Sequence, residues 1–520
     1  MNEQENKLED KIKEFLKDKY HLILIGVILL ALIIRLYFLI KTYNQPLWWD
    51  ESEYINIAKY WSSTGPEYEI NPQRPPFFML LLALLYLIGS SEFIARFVMV
   101  LIPSVLMVLF TYLIGKDMFD KKIGLISSFI MSIFWLIIFN TARMHTDALA
   151  IAFNIATIYF FWKGYIKKKG NHNLYLMGFF LGLGFLTRLE GALMGVVILL
   201  FLIITERLKF LKNKHLWFSF LITMLTILPY LIWTSTYFGK VFAFSHGYSS
   251  VFTSTVTSQP FAWYMLNFMY SYFEWGLAIM FFIGLFCLYP LILKFDLLLK
   301  DKAPEVKVDL FLLIWIIVHL IFFIFITRGG EDRWLLPISA ALFIITARGI
   351  MYIHDLIKNY SKQIALIVIF VILIFGAYQQ LNHSYKIIEL KKDSYLQEKI
   401  AGEWLKERVN DNDIIFSNNE QSPFTYYIGK RVRGRLSSET DFLNDVRESK
   451  ATYYIITAFY PSPSWTFEIS QKYQELFTPI QAFFFDKEMT KPAVIIFRIN
   501  QEKMPLLETG ISNNPSNESE

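Results

Sequence analysis

Residues 21–54 read HLILIGVILLALIIRLYFLIKTYNQPLWWDESEY, and the apolar half of this stretch decides the class of protein. The run from about residue 21 to 40 is long enough to cross a bilayer, which takes roughly 17–25 residues. It has no small-residue cleavage site and exceeds the apolar core of a signal peptide, so the expectation is a retained span. The polar half is unusual beside a membrane: two tryptophans, Trp48 and Trp49, and then three carboxylates, Asp50, Glu51 and Glu53.

Further apolar runs lie near 93–115, 123–141, 147–162, 174–187, 191–205, 216–236, 274–293, 309–327, 334–350 and 364–381, which with the first makes about eleven expected spans. The run 76–88 is too short to cross and suits a juxtamembrane helix. Charge sets the orientation. The dense Lys/Arg clusters fall in 1–20, 116–122, 163–169, 207–214, 294–307 and 348–362. The opposite short loops hold only Lys41, Lys59, Arg74, Arg96, Arg143, Arg188, Lys240, Arg328 and Arg333. The positive-inside bias then places the amino terminus in the cytoplasm and the carboxyl terminus outside, in the plasma membrane. This parity holds only if 76–88 does not cross and 174–205 is a hairpin turning outside at 187–191.

The expected organisation is a cytoplasmic amphipathic amino terminus (1–20, with Leu8, Ile12, Phe15 and Leu16 in one stripe), a membrane domain (21–382) whose outer loop 42–92 carries juxtamembrane helices, an extracytoplasmic domain (383–505) and a polar tail (506–520). Alternation of short helical and strand patterns at 401–409, 413–416, 441–447, 453–457 and 493–499 reads as a small α/β unit. The fold class is therefore mainly α: a polytopic membrane helix bundle with a small α/β domain at its carboxyl end.

Composition agrees. Of 520 residues 54% are hydrophobic and 18% charged, against roughly 45–50% and 25% in soluble domains. The single Cys287 excludes a disulfide framework, a cysteine zinc site and an iron–sulfur cluster. The net charge of +5 gives no argument for nucleic acid.

Polar chemistry gathers on the outer side. Inside the spans the main ionisable groups are Arg35, expected to snorkel to the outer interface, and His319. An ion-coupled transporter keeps acids near the midplane, so chemistry at the outer face fits better. Asp50 reads in two ways. It is a general base at the lipid–water boundary, taking the proton of a poorly nucleophilic hydroxyl; or it is a helix N-cap with Glu53 closing a capping box before the apolar face Tyr54, Ile57, Ala58 and Trp61. Arg143 and Asp147 are likewise either an i,i+4 pair or parts of a site in which Asp147 orients the centre or helps hold a metal or acceptor. Arg333, behind Gly329-Gly330-Glu331-Asp332, is either a lipid-phosphate ligand or an interfacial anchor. Arg74, Arg96 and Arg188 are similar candidates. The loop 237–273 contains His246. No phosphate-binding glycine loop, nucleophile elbow or zinc-protease helix is present.

Together these residues resemble the membrane glycosyltransferases of the GT-C fold, closest to the protein O-mannosyltransferase and lipid A aminoarabinose transferase branch. The resemblance covers most of 21–381. It rests on Asp50-Glu51, on Arg74-Pro75-Pro76, on Ser91 to Arg96, on the inner turn 115–124, on Arg143 to Asp147, and on Arg333-Trp334-Leu335-Leu336-Pro337, where the family often has Arg-Tyr-Leu-Leu-Pro. It implies a polyprenyl-phosphate-linked sugar donor, a protein, lipid or glycan hydroxyl acceptor, membrane lipids as surroundings, and inverting transfer with Asp50 as base. Glu51 and Asp147 would shape the acceptor site, and Arg333, helped by Arg74 or Arg188, would stabilise the leaving phosphate. Some members use a divalent metal; His246 and Glu67 are weak ligand candidates, and no cofactor is assigned. The competing readings are a flippase for a lipid-linked sugar, which needs a polar path through the bundle, and a structural or sensory protein, which leaves the acidic loop and the outer arginines unexplained.

Overall fold

The structure is a computed structural model and describes residues 17–72, 74–241, 272–300, 302–327, 331–419, 423–434 and 438–504. His246, the apolar stripe before residue 17 and the tail 506–520 lie outside these residues. The chain divides into two units, Met1–Asn44 with Ile70–Lys392 and Gln45–Glu69 with Asp393–Glu520.

The first unit is helical: α1 (Lys19–Lys41), α2 (Phe77–Leu87), α3 (Glu92–Met118), α4 (Lys121–Ile133), α5 (Trp135–Thr141), α6 (Asp147–Ile166), α7 (His172–Thr187), α8 (Leu189–Glu206), α9 (Lys214–Phe238), α10 (Phe273–Leu293), α11 (Pro304–Ile326), α12 (Asp332–Lys358) and α13 (Lys362–Lys391). Among the described residues nine of these are long and apolar enough to cross a membrane, and α4 with α5, bent by 50°, makes a tenth if the pair is one span. The eleventh expected span, α7, is apolar but only 16 residues long. Helix α2, at 11 residues, is short as expected.

Close packing follows small residues, as it must where lipid tails compete for the same apolar faces. A Cβ on Gly349 of α12 would come within 1.9 Å of the Met280 carbonyl oxygen of α10, and one on Gly284 within 1.9 Å of the Ile345 carbonyl oxygen. Only hydrogen fits at either crossing.

The break between α4 and α5 falls at Phe134, whose backbone is extended (φ −65°, ψ 119°). A helix interrupted at membrane depth must satisfy the groups it frees. Arg35 does this on one side. Its guanidinium donates to the Ser132 carbonyl at 2.8 Å, the Met131 carbonyl at 3.2 Å, the Ala31 carbonyl at 3.2 Å and the Ser104 hydroxyl at 2.9 Å. The side chain is fully buried. The expectation that Arg35 snorkels is therefore corrected: it turns inward, because the ended helix offers carbonyls that a long planar donor can reach. Gln380 of α13 serves the other side, its Oε1 accepting from the Trp135 N–H at 3.0 Å. His319, also fully buried, places Nδ1 2.8 Å from the Trp315 carbonyl oxygen of its own helix.

The second unit is α/β. Its sheet runs in the order β2 (Val432–Arg433), β1 (Ile415–Ser417), β3 (Tyr453–Thr457), β5 (Pro492–Ile499), β4 (Phe477–Phe484). β1 is parallel to β2 and β3; β5 is antiparallel to β3 and β4. Every residue of β3 is buried, which fits a central strand. β4 escapes the sequence reading because Pro479 and two register shifts break its alternation. Residues 45–69 fold with this unit. The Leu47 N–H donates to the Tyr427 hydroxyl at 2.7 Å, the Trp49 ring meets Tyr460 edge-on at 6.0 Å, and Glu67 pairs with Arg431 at 3.0 Å.

Candidate active site

The acidic segment after the first span forms the helix Trp49–Trp61. Its start differs from the expected capping box. Trp48 is the N-cap, and the Glu51 carboxylate accepts from the Trp48 backbone N–H at 2.9 Å. Asp50 and Glu53 are thus not the capping pair; the helix begins two residues earlier than the spacing suggested, so the third helical position falls on Glu51. Glu51 and Glu53 are buried, whereas Asp50 is half-exposed on the first turn. Of the three carboxylates, Asp50 keeps the most open surface. The helix is held within its unit by aromatic edges: Trp48 meets Tyr395, Trp49 meets Tyr460, and Tyr395 stacks on Tyr460 at 5.8 Å. Beneath them the buried Glu398 accepts from the Thr457 hydroxyl at 2.8 Å and the Tyr460 hydroxyl at 3.1 Å. Burial and the neighbouring carboxylate hold the Tyr460 phenol far above its ordinary value.

In the first unit α6 begins at Asp147, directly after the turn 142–146. Arg143 lies before the helix and donates to the Lys391 carbonyl at 2.9 Å. The i,i+4 pair with Asp147 is corrected accordingly: the turn takes Arg143 off the helix face. Asp147 pairs instead with Arg188, Oδ1 to Nη1 at 3.0 Å, and Arg188 reaches Glu190 at 3.4 Å with its other nitrogen. Arg188 can do so because it sits extended (φ −148°, ψ 133°) in the one-residue link between α7 and α8. Gly191 makes that link tight, since a Cβ there would lie 2.5 Å from the Gly184 carbonyl carbon.

Arg333 enters from the head of α12, where Asp332–Ile338 is wound as a 3-10 helix around Pro337. Its Nε bonds the Glu331 carboxylate at 2.5 Å. Three contacts fix this turn: the Tyr272 hydroxyl donates to the Asp332 carbonyl at 2.7 Å, the Trp315 indole donates to the Pro337 carbonyl at 3.1 Å, and Trp334 stacks on Phe323 at 5.6 Å.

Asp147, Asn154, Arg188, Glu190, Arg333 and Trp334 line one cavity, with Phe323 and Pro337. It encloses about 10 Å³, room for a single water. Two acceptor atoms in its wall, Oδ2 of Asp147 and Oδ1 of Asn154, are buried without a hydrogen-bond partner. Such atoms cost free energy until a donor reaches them. The cavity thus combines guanidinium donors suited to an anion with carboxylate and amide acceptors suited to hydroxyl groups.

The cavity brings together Asp147, Arg188 and Arg333 of the sequence candidates. It does not include Arg96, which is buried and donates to the Thr42 carbonyl at 3.2 Å, or Arg143. Arg74 is half-buried ahead of α2, its backbone N–H bonded to the Asn71 carbonyl at 3.1 Å. Glu190, Asn154 and Phe323 were missed as lining residues; Asn154 lies two turns along α6 from Asp147, a spacing that was readable. Among the described residues no group of three or more His, Cys, Asp or Glu could hold a metal ion, and Glu67 is engaged with Arg431.

Residues 73–233 match the family described as dolichyl-phosphate-mannose-protein mannosyltransferase. No curated protein matches the chain by sequence. Among solved structures the chain is similar to ArnT from Cupriavidus metallidurans, with 11% identity, 92% of this chain and 98% of that one covered, and a TM-score of 0.65. ArnT has also been solved bound to undecaprenyl phosphate. The oligosaccharyltransferase AglB from Archaeoglobus fulgidus, in complex with an inhibitory peptide and a dolichol-phosphate, shares 13% identity over 95% of this chain and 75% of its own, at a TM-score of 0.60. The arabinofuranosyltransferase AftD from Mycobacteria shares 10% identity over 91% of this chain and 40% of its own, at 0.55.

Proposed function

We propose that the chain, whose fold is similar to that of ArnT and whose residues 73–233 match the protein mannosyltransferase family, moves a sugar from a polyprenyl-phosphate carrier to an acceptor hydroxyl on the extracytoplasmic face. The observation that carries this reading is the cavity where Arg188 and Arg333 stand beside Oδ1 of Asn154 and Oδ2 of Asp147, two acceptors without a hydrogen bond, the latter 3.8 Å from the His145 ring. A sugar phosphate needs both kinds of group. The family match supplies a lipid-phosphate sugar as the donor class, and an undecaprenyl phosphate and a dolichol-phosphate occupy two of the similar structures. The acceptor is a protein, lipid or glycan hydroxyl. The amino terminus is cytoplasmic and the α/β unit extracytoplasmic, on the charge pattern of the loops.

In the proposed step Asp50 is the general base. The acceptor oxygen forms its bond to the anomeric carbon as the bond from that carbon to the phosphate oxygen breaks, inverting configuration. The acceptor proton passes to the Asp50 carboxylate, and the electron pair leaves on the polyprenyl phosphate. Arg333 and Arg188, with Arg74, stabilise the charge that grows on the phosphate; such clamps act where charge develops and so raise turnover. Asp147 holds Arg188 in place and, with Asn154, accepts from sugar hydroxyls. Glu51 braces the Asp50 helix through its cap.

The test is sugar transfer by purified protein in lipid, with labelled polyprenyl-phosphate hexoses as donors and cell-envelope extract as acceptor. Asp50→Asn is expected to abolish transfer while the protein stays folded. Transfer retained in Asp50→Asn removes Asp50 from the role of base. The flippase alternative is disfavoured because Arg35, fully buried on the first span, is committed to backbone carbonyls and one hydroxyl.

A further inference from the structure

One side chain ties together the two segments that lead to Asp147 and to Arg333. Gln380, 1% exposed on α13, accepts from the Trp135 N–H at 3.0 Å and donates from Nε2 to the Tyr272 carbonyl at 3.0 Å. Trp135 opens α5, the short helix that leads through the turn 142–146 to Asp147. Tyr272, fully buried with its ring 5.2 Å from Phe134, donates its hydroxyl to the Asp332 carbonyl, the residue before Arg333. The chain of bonds therefore runs from the break at Phe134, through one amide, to the turn that carries Arg333. Around it α13 makes three further ties: the His383 ring stacks on Trp135 at 4.2 Å, its Nδ1 meets Glu274 at 2.6 Å, and Gln379 accepts from the Gly276 N–H at 3.0 Å. Gln379 bonds α10 at Gly276; Gln380 bonds both paths to the cavity.

We infer that Gln380 is a positioning residue, whose amide sets Asp147 and Arg333 in register for the phosphate clamp. This rests on the clamp role proposed for Arg333 and Asp147. The amide suits the task because it offers an acceptor and a donor about 2 Å apart in one plane, matching the Trp135 N–H at the start of α5 and the Tyr272 carbonyl just before α10. Positioning matters at this scale: a displacement of about 1 Å in a catalytic constellation costs on the order of 100-fold in rate.

The experiment compares wild type with Gln380→Leu, Gln380→Glu, Tyr272→Phe, Gln379→Leu and Arg333→Gln, each purified in lipid. Donor KM, kcat and the pH profile are measured. Gln380→Leu is expected to lower kcat by roughly 100-fold with donor KM changed less than about threefold, because the clamp acts on charge that develops in the transition state. Tyr272→Phe, which keeps the ring and removes only the hydroxyl, is expected to give a smaller loss in the same parameter. Gln379→Leu is expected to keep wild-type turnover. Gln380→Glu separates positioning from bulk packing. A carboxylic acid restores both bonds, whereas a carboxylate restores only the acceptor, so this variant should gain activity relative to wild type as pH falls. The titratable and charged groups nearby are Tyr272 just before α10, Glu274 on α10, His383 on α13, Asp332 on α12, Asp147 on α6 and Arg35 on α1; all are common to both proteins, so the ratio isolates position 380. If Arg333→Gln keeps full turnover, the clamp itself is wrong. If Arg333→Gln loses turnover while Gln380→Leu keeps it, or Gln380→Glu tracks wild type at every pH, the positioning role is overturned. Should Gln380→Leu fail to fold, Tyr272→Phe and Gln380→Glu decide alone.

Discussion

Replacing Arg35 by methionine tests how the broken span is held together. The guanidinium makes four hydrogen bonds, but they are not equal. The Ala31 carbonyl lies four residues before Arg35 in α1, so it keeps its helical partner, the Arg35 N–H. The Ser104 hydroxyl keeps its bond to the Leu101 carbonyl at 2.7 Å. The carbonyls of Met131 and Ser132 lie in the last turn of α4, where the helix ends at Ile133 and intrahelical donors run out. Methionine fills the same volume and leaves those two acceptors bare. At about 1–3 kcal/mol for each unsatisfied buried group, the gross loss is about 2–6 kcal/mol. Removing a buried charge returns part of this, since burying an ion costs several kcal/mol. The net expectation is a destabilisation smaller than the gross loss, about 1–3 kcal/mol, with lysine intermediate because a compact ammonium cannot fork across both carbonyls. Equilibrium unfolding of the purified protein in mixed micelles measures it, with sugar transfer followed in parallel. Arg35→Met within about 0.5 kcal/mol of wild type, folded and fully active, would refute the capping role.

Asp147→Asn should leave the fold intact and cut kcat by at least tenfold, because Arg188 loses its partner at 3.0 Å; a steady-state assay with unchanged kcat would count against it. Gly349→Ala should yield little folded protein, since the new methyl would sit 1.9 Å from the Met280 carbonyl oxygen; normal yield and a normal thermal midpoint would show that α10 and α12 part easily. Glu398→Gln should destabilise the α/β unit by about 1–3 kcal/mol, because the hydroxyls of Thr457 and Tyr460 both donate to this carboxylate; a chemical denaturation curve checks it. The Asp18 carboxyl is held below its ordinary value of 3.8 by the Lys121 ammonium and the Tyr20 backbone N–H. Its folded value is the lower one, so its stabilising contribution is complete above 3.8 and fades as pH falls through the lowered value. Lys121→Ala should raise the pH at which Asp18 titrates, as followed by carboxyl NMR.

Much of the fold was legible because a bilayer demands long apolar runs, and α1, α3 and α13 announce themselves by length alone. The charge asymmetry excludes 76–88 as a span, and α2 there is 11 residues long. The break at Phe134 was hidden, because Ile133, Phe134 and Trp135 contain no proline or glycine; the bend is stabilised from outside by Arg35 and Gln380, far away in sequence. Arg35 was misread for the same reason. Spacing shows how deep an arginine lies, not which carbonyls a neighbouring helix leaves open. At the site, residue type and side of the membrane made Asp147, Arg188 and Arg333 candidates among others, and these three line one cavity. Pairing was less legible. Arg143 and Asp147 have helical spacing, but the turn 142–146 lies between them, while Arg188 arrives through an extended link that periodicity does not reveal. Arg96 looked like a ligand and is occupied with the Thr42 carbonyl.

The most direct test of the proposed activity is release of free polyprenyl phosphate by the wild-type protein, purified in lipid and given a panel of polyprenyl-phosphate sugars with envelope acceptor. Release from at least one donor is expected, matched mole for mole by sugar on acceptor and abolished in Asp50→Asn. A well-folded protein that binds a donor yet releases no phosphate from any of them would contradict a transferase.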